Sequence, residues 1–150
     1  MDTKPDWIAL SEYMHKLQAF SRLSLLRQSS EAIASAGEME LLSRVALSDV
    51  PLTPLQLSEQ MEVKKSAVSR ILHTLFESGY LEKLPNPCDR RSFSLSVTEA
   101  GRAYLNENYR IFLLPVSYLY DTMGAEEFHA FLASVEIATA LLREKEEEHL

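Results

Sequence analysis

The sequence predicts a mostly α-helical chain with a small β-hairpin wing: a winged helix-turn-helix flanked by N- and C-terminal helices through which two copies pair. Three observations predict it. Thr53 to Gly101 runs through two short helix patterns, a glycine turn, a strand, a charged Pro-flanked turn and a second strand. Both ends of the chain carry apolar residues at helical spacing, over lengths that so small a module cannot cover alone. The 150 residues are 46% hydrophobic with four glycines and one cysteine, enough for a core without disulfides or a structural metal. On this reading one domain spans 1–150, with an N-terminal dimerisation helix (1–34), the winged helix-turn-helix (36–99) and C-terminal dimerisation helices (100–150).

The first segment places Trp7, Leu10, Met14, Leu17, Ser21 and Leu25 along one stripe, which Tyr13, Phe20 and Leu26 widen. The first helix of the central pair opens at Thr53-Pro54-Leu55-Gln56. Thr53 can accept from the third backbone N–H, Pro54 needs no donor at the first position, and Gln56 can reach back. Leu55, Leu57 and Met61 supply its apolar side. After a short link through Glu62 and Val63, a second helix begins near Lys64 or Lys65. Val68, Ile71, Leu72, Leu75 and Phe76 then fall on a single helical stripe. Ser78-Gly79 ends that helix in a left-handed residue, and Tyr80 to Leu84 reads as a strand closed by Pro85-Asn86-Pro87. Phe93, Leu95 and Val97 alternate with Ser92, Ser94 and Ser96, the period of a half-buried strand, so the hairpin tip is expected at Asn86 to Arg91.

A Thr98 cap starts a long helix through Tyr104, Leu105, Tyr109, Phe112 and Leu113 to about Met123, with a kink expected at Pro115 and a break at Gly124. The last helix carries Phe128, Phe131, Leu132, Val135, Ala138 and Leu142, and the Glu-rich run from Glu144 to Glu148 reads as a solvated tail.

The face of the second helix opposite its apolar stripe holds Lys64, Lys65, Ser66, Ser69, Arg70 and His73. Cations suit phosphate, and short hydroxyls allow close approach to base edges. A solvated helix surface has the same composition, and the downstream wing is what favours DNA. There Asp89 stands beside Arg90 and Arg91, and an Asp can hold one guanidinium by a bidentate pair while the other projects toward phosphate or a narrow minor groove. Charge is consistent with this. The chain carries 15 Lys and Arg against 22 Asp and Glu, net −7, yet residues 64–91 are net +3 and the remainder −10. Attraction to a polyanion depends on the few cations that meet phosphates, while acidic surfaces elsewhere suppress indiscriminate binding.

With these residues in view the chain resembles the MarR family of bacterial transcriptional regulators. The resemblance rests on Leu75-Phe76-Glu77-Ser78-Gly79-Tyr80-Leu81, on Asp89-Arg90-Arg91, and on Ser96-Val97-Thr98-Glu99-Ala100-Gly101, all within the Thr53–Gly101 stretch that makes up about a third of the chain; Val97 stands where the family usually has Leu. It implies a homodimer on double-stranded DNA, a repressor on a palindromic operator, Arg91 in the minor groove with Asp89 orienting it, and Arg90 as a phosphate contact. It also implies a small aromatic effector between the dimer helices and the DNA-binding lobe. Tyr13, Phe20, Tyr109 and Phe112, with His15, Arg22 and Tyr118, offer compatible walls, although the same residues serve equally as core and interface. A winged-helix module that binds protein in place of DNA is the other reading of the fold.

The remaining chemistry is sparse. His15, His73, His129 and His149 have no spacing that joins two strong ligands, so neither a metal nor another cofactor is expected. No Gly-rich phosphate loop, Gly-x-Ser-x-Gly elbow or metal-hydrolase signature points to an enzyme. Cys88 makes no internal disulfide and suits a reducing cytoplasm; beside Arg90 and Arg91 it is either a redox-responsive thiol or an inert loop thiol. Peroxide sensors of the family carry their reactive cysteine in the N-terminal helix, where this chain has none. The polar start Met1-Asp2-Thr3-Lys4-Pro5-Asp6 and the lack of an 18-residue apolar run argue against a signal peptide or membrane span.

Overall fold

The computed structural model describes residues 4–25 and 30–148, with side chains from 24 to 35 left undescribed. Its elements are α1 (Trp7–Leu25), α2 (Ser30–Leu47), α3 (Pro54–Met61), α4 (Lys65–Glu77), β1 (Leu81–Asn86), β2 (Asp89–Val97), α5 (Glu99–Met123) and α6 (Ala125–Glu147). Two compact units divide the chain, Met1–Phe112 and Leu113–Leu150, with the boundary inside α5. Leu26, the last residue of the expected N-terminal stripe, lies outside the described residues.

In the first unit the core gathers Leu41, Leu42 and Val45 of α2, Leu57 of α3, Val68, Leu72 and Leu75 of α4, Leu81 of β1, and Leu95 and Val97 of β2. Helix α2 is therefore a central packing element, although its sequence has no clear apolar stripe: adjacent Leu41 and Leu42 are both fully buried, so it is covered on more than one side. Helix α3 opens with the expected capping box. The Gln56 N–H donates to Thr53 Oγ1 at 3.2 Å, and the Thr53 N–H donates to Gln56 Oε1 at 2.9 Å. Glu62 ends α3 in the left-handed region at φ 55°, which turns the chain sharply enough for α4 to begin at Lys65.

The end of α4 is a Schellman turn. The N–H of Gly79, at φ 73°, donates to the Phe76 carbonyl, and that of Tyr80 to the Leu75 carbonyl. The hairpin departs from the sequence expectation. Pro85 does not close β1 but pairs with Phe93 within it, and the strand continues to Asn86, opposite Asp89. A two-stranded sheet leaves each strand an open edge, where a missing N–H breaks no ladder bond. The turn itself is only Pro87-Cys88, so Asp89 to Arg91 belong to β2 and not to the tip. Beyond the hairpin, Leu52 makes a single antiparallel bridge to Leu95, whose N–H donates to the Leu52 carbonyl at 2.9 Å.

Helix α5 is capped, as expected, by Thr98, whose Oγ1 accepts from the Gly101 N–H at 3.1 Å. Its first turns belong to the winged module, since Tyr104 and Leu105 pack against the core. The division expected after residue 99 thus separates residues that the packing joins. The helix runs on through Pro115, which has no N–H to donate to the carbonyl four residues earlier. In the second unit, Gly124 at φ 85° separates α5 from α6, and the Tyr120 and Phe128 rings meet edge-on at 5.4 Å. The Glu144–Glu148 stretch is exposed, as expected, but it continues the helix instead of trailing from it: α6 extends to Glu147, because Glu is a good helix former and Lys145 pairs with Glu148 at 3.2 Å. No described helix is long and apolar enough to cross a membrane.

Candidate nucleic-acid interface

Helix α4 divides its residues as the stripe predicts. Val68, Leu72 and Leu75 are buried and Ile71 and Phe76 half-buried, while Lys64, Lys65, Ser66, Ser69, Arg70 and His73 are all exposed. Lys64 is the N-cap and makes no side-chain capping bond, so the positive end of the helix dipole is left uncapped at two exposed lysines, Lys64 and Lys65. An anion meeting this end finds backbone donors and two cations together. One turn on, Ser66, Ser69 and Arg70 carry hydrogen-bonding groups suited to base edges.

The wing presents its cations differently from the sequence expectation. Between the pairs Pro85–Phe93 and Asn86–Asp89 the register shifts, leaving Arg90, Arg91 and Ser92 as a bulge on β2. Asn86 Nδ2 donates to Ser92 Oγ at 2.9 Å across this bulge, and Asn86 Oδ1 accepts from the Cys88 N–H at 3.0 Å. The expected bidentate pair between Asp89 and an arginine is not made. Asp89 Oδ1 accepts instead from the backbone N–H of Arg91 at 2.9 Å, an Asx-type turn. Asp89 therefore shapes the strand that carries Arg91 and leaves both guanidinium groups exposed. Two residues is the natural reach of a short carboxylate to its own backbone, and that local bond competes directly with a guanidinium partner.

The junction behind this surface was visible in the sequence only as a motif. Thr98 Oγ1 donates to the Gly79 carbonyl at 2.6 Å, and the Thr98 N–H to the Tyr80 carbonyl at 3.0 Å. The Tyr80 and Tyr104 rings stack at 4.5 Å with 19° between their planes. Gly101 lies so close to the Tyr80 carbonyl that any Cβ there would collide with it. The C-terminal end of α4 is thereby bolted to the first turn of α5. Nearby, burial raises the Glu38 carboxyl above its ordinary value. The Tyr104 phenol is raised by burial first, then by the Glu38 charge and by Tyr80.

Tyr13 and Phe20 lie exposed on α1, Tyr109 is exposed and Phe112 half-buried on α5. An open groove of about 290 Å³ lies elsewhere, lined by Pro54, Leu55, Lys65, Ser69, Leu72 and Phe93. Cys88 is free and exposed in the wing turn.

Residues 17–93 match the MarR family. The chain is 28% identical over 92 residues to the HTH-type transcriptional regulator BilQ of Clostridioides difficile, a match covering 61% of this chain and 62% of that protein, so it spans about three fifths of that relative's length. Its fold is similar to that of a mutant MarR from Escherichia coli crystallised with operator DNA, with TM-score 0.67, 22% identity, and 89% of this chain and 99% of that one covered. It is also similar to Streptococcus pneumoniae FabT in complex with DNA, with TM-score 0.63, 24% identity, and 93% and 99% of the two chains covered.

Proposed function

The chain belongs to the MarR family of transcriptional regulators, which are not enzymes, and we propose that it represses transcription as a homodimer on a palindromic DNA operator and is released by a small aromatic effector. The observation that carries this reading is α4, whose buried stripe leaves a continuous exposed face of cations and hydroxyls. In this assignment Ser66, Ser69 and Arg70 meet bases, Lys64 and Lys65 meet phosphates, and His73 flanks them. In the wing Arg91 enters the minor groove, Arg90 meets phosphate and Asp89 holds the backbone beneath them. The DNA complexes of E. coli MarR and of FabT, both of this fold, support DNA as the partner.

The apolar surfaces support the dimer. In the first unit α1 leaves Trp7 76% exposed and Leu17 65%, and in the second Tyr118 is 68% and Leu142 69% exposed. Runs of this kind are uncommon on a solvated monomer, and a second copy can cover them while presenting two recognition helices to a two-fold site. The effector would take Tyr13, Phe20, Tyr109 and Phe112 as walls in that dimer, with leverage limited to its preference for one of two helix spacings.

Fluorescence anisotropy on the chain's own upstream DNA tests the core of the proposal. Tight, salt-sensitive binding with preference over random duplex is expected, from a species of dimer mass by light scattering. Absence of preference at moderate salt refutes it and favours the protein-interaction module. A thermal-shift screen of phenolic acids, followed by operator release, tests the effector.

A further inference from the structure

We propose that Lys83 is a positioning residue of the wing: its ammonium, held over the rings of Phe76 and Phe93, locks the hairpin to the end of α4 and makes no phosphate contact. The inference rests on the reading above, in which the wing meets DNA. The hairpin register sets Lys83 opposite Leu95, on the same face as Leu81, Pro85, Phe93 and Val97. Leu81, Leu95 and Val97 are buried there, so strand alternation calls for an apolar residue at position 83. A lysine in that place resolves the conflict by laying its methylene stem along the apolar face and finding a partner for its charge.

That partner is aromatic. Lys83 Nζ stands 4.6 Å from the Phe93 ring centroid and 5.3 Å from that of Phe76. Both distances fall within the roughly 6 Å reach of a cation–π contact. The two rings lie 6.5 Å apart and are tilted by 60°, so one ammonium joins them. Phe76 lies in the last turn of α4, and Phe93 is the β2 residue that closes the bulge carrying Arg90 and Arg91. The cation thus ties the recognition helix to the strand that aims the wing arginines. Lys83 is exposed, and counting it among the positive charges of residues 64–91 hides this role, since its ammonium already faces two rings.

Two variants separate positioning from phosphate contact. Lys83→Met keeps an unbranched stem and removes the charge, while Lys83→Arg keeps a cation that stacks on aromatic faces. Operator affinity is measured over a series of salt concentrations, with Arg91→Ala in parallel, and wing amide exchange is followed in the DNA-free protein. Lys83→Met is expected to weaken operator binding about 2- to 5-fold, the worth of an exposed cation–π contact, with the salt slope unchanged. Exchange at Leu84, at its ladder partner Ser94 and at the Arg91 N–H of the bulge should quicken, and Lys83→Arg should restore both properties. A slope shallower by about 0.9 in Lys83→Met marks a lost phosphate contact and overturns the proposal. Unchanged wing exchange overturns it too. Faster exchange with operator binding unaffected by either Lys83→Met or Arg91→Ala upholds the lock and overturns the wing's contact with DNA.

Discussion

Gly101→Ala sets two physical effects of opposite sign against each other. The residue lies in the first turn of a 25-residue helix, where alanine is favoured over glycine by about 1 kcal/mol on propensity alone. Packing opposes this. A Cβ at position 101 would overlap the Tyr80 carbonyl oxygen and come within 2.8 Å of Val97 Cγ1, and the obstacle is backbone that no rotamer change can move. That same oxygen accepts from the Thr98 N–H at 3.0 Å, so the shift that makes room also breaks a hydrogen bond. Overpacking costs about 1–3 kcal/mol and the lost bond about 0.5–1.5 kcal/mol. After the propensity gain, a net destabilisation of about 0.5–3.5 kcal/mol remains, equivalent to a Tm lower by roughly 1–14 °C for a chain of this size.

Gly37→Ala supplies the contrast. There the new Cβ would meet only the tip of the Ile71 side chain, at 3.1 Å, and a half-buried Ile can move by a few tenths of an ångström. Propensity should then win, with a gain of up to about 1 kcal/mol. Thermal unfolding of the two variants and the parent at one protein concentration reads both signs, since an associating chain has a concentration-dependent Tm. A Tm for Gly101→Ala at or above that of the parent refutes the account of the α4–α5 junction.

Arg70→Ala should shift operator sequence preference at a cost of about 1–3 kcal/mol, whereas Lys64→Ala and Lys65→Ala should weaken binding to all sequences alike and lower the salt slope by about 0.9 each, as competition anisotropy at several salt concentrations can resolve. Because Asp89 accepts a backbone N–H and makes no ion pair, Asp89→Asn should retain operator affinity while Asp89→Ala and Arg91→Ala lose it; equal losses in Asn and Ala would restore the charge-pair explanation. Glu38 carries a carboxyl raised by burial, so its contribution is present below the unfolded-state value and lost as pH rises through the folded-state value. Glu38→Gln should therefore raise Tm near neutral pH and leave it little changed at about pH 4, and a Tm lowered at neutral pH would contradict the sign.

What could be read from the sequence followed from local rules. The capping box at Thr53, the stripe from Val68 to Phe76, the glycine turn at Gly79 and the serine alternation of β2 each depend on a few neighbouring residues, and the structure repeats them. The features that escaped depend on contacts distant in sequence or on competition between local bonds. Leu41 and Leu42 show no single stripe because α2 is enclosed by α3, α4 and β2, so periodicity, which reports one-sided burial, has nothing to detect. Leu52 joins the sheet through one residue, too few for any alternation.

The wing shows why residue types were easier to assign than their geometry. Asp89, Arg90 and Arg91 stand where the sequence puts the exposed cations, but composition cannot say whether the carboxylate reaches a guanidinium or an N–H two residues away. The bulge decides it by bringing the Arg91 N–H to Asp89 and setting Arg90 to Ser92 off the regular ladder. Lys83 is the complementary case, since its sequence context marks a surface cation and the register alone reveals that it stands in an apolar row. For a DNA-facing surface the difference matters. Exposed arginines carried by a backbone that is itself held by Asp89 and Asn86 lose less freedom on meeting DNA than arginines on an unbraced loop, and side chains not already paired need break no ion pair to do so. Operator affinity should therefore depend on Asn86 as well, although Asn86 itself need not touch DNA: Asn86→Ala removes both the Ser92 and the Cys88 bonds and should weaken binding without changing the salt slope. A slope that falls by about 0.9 would place Asn86 or a group it displaces on a phosphate and refute the bracing argument.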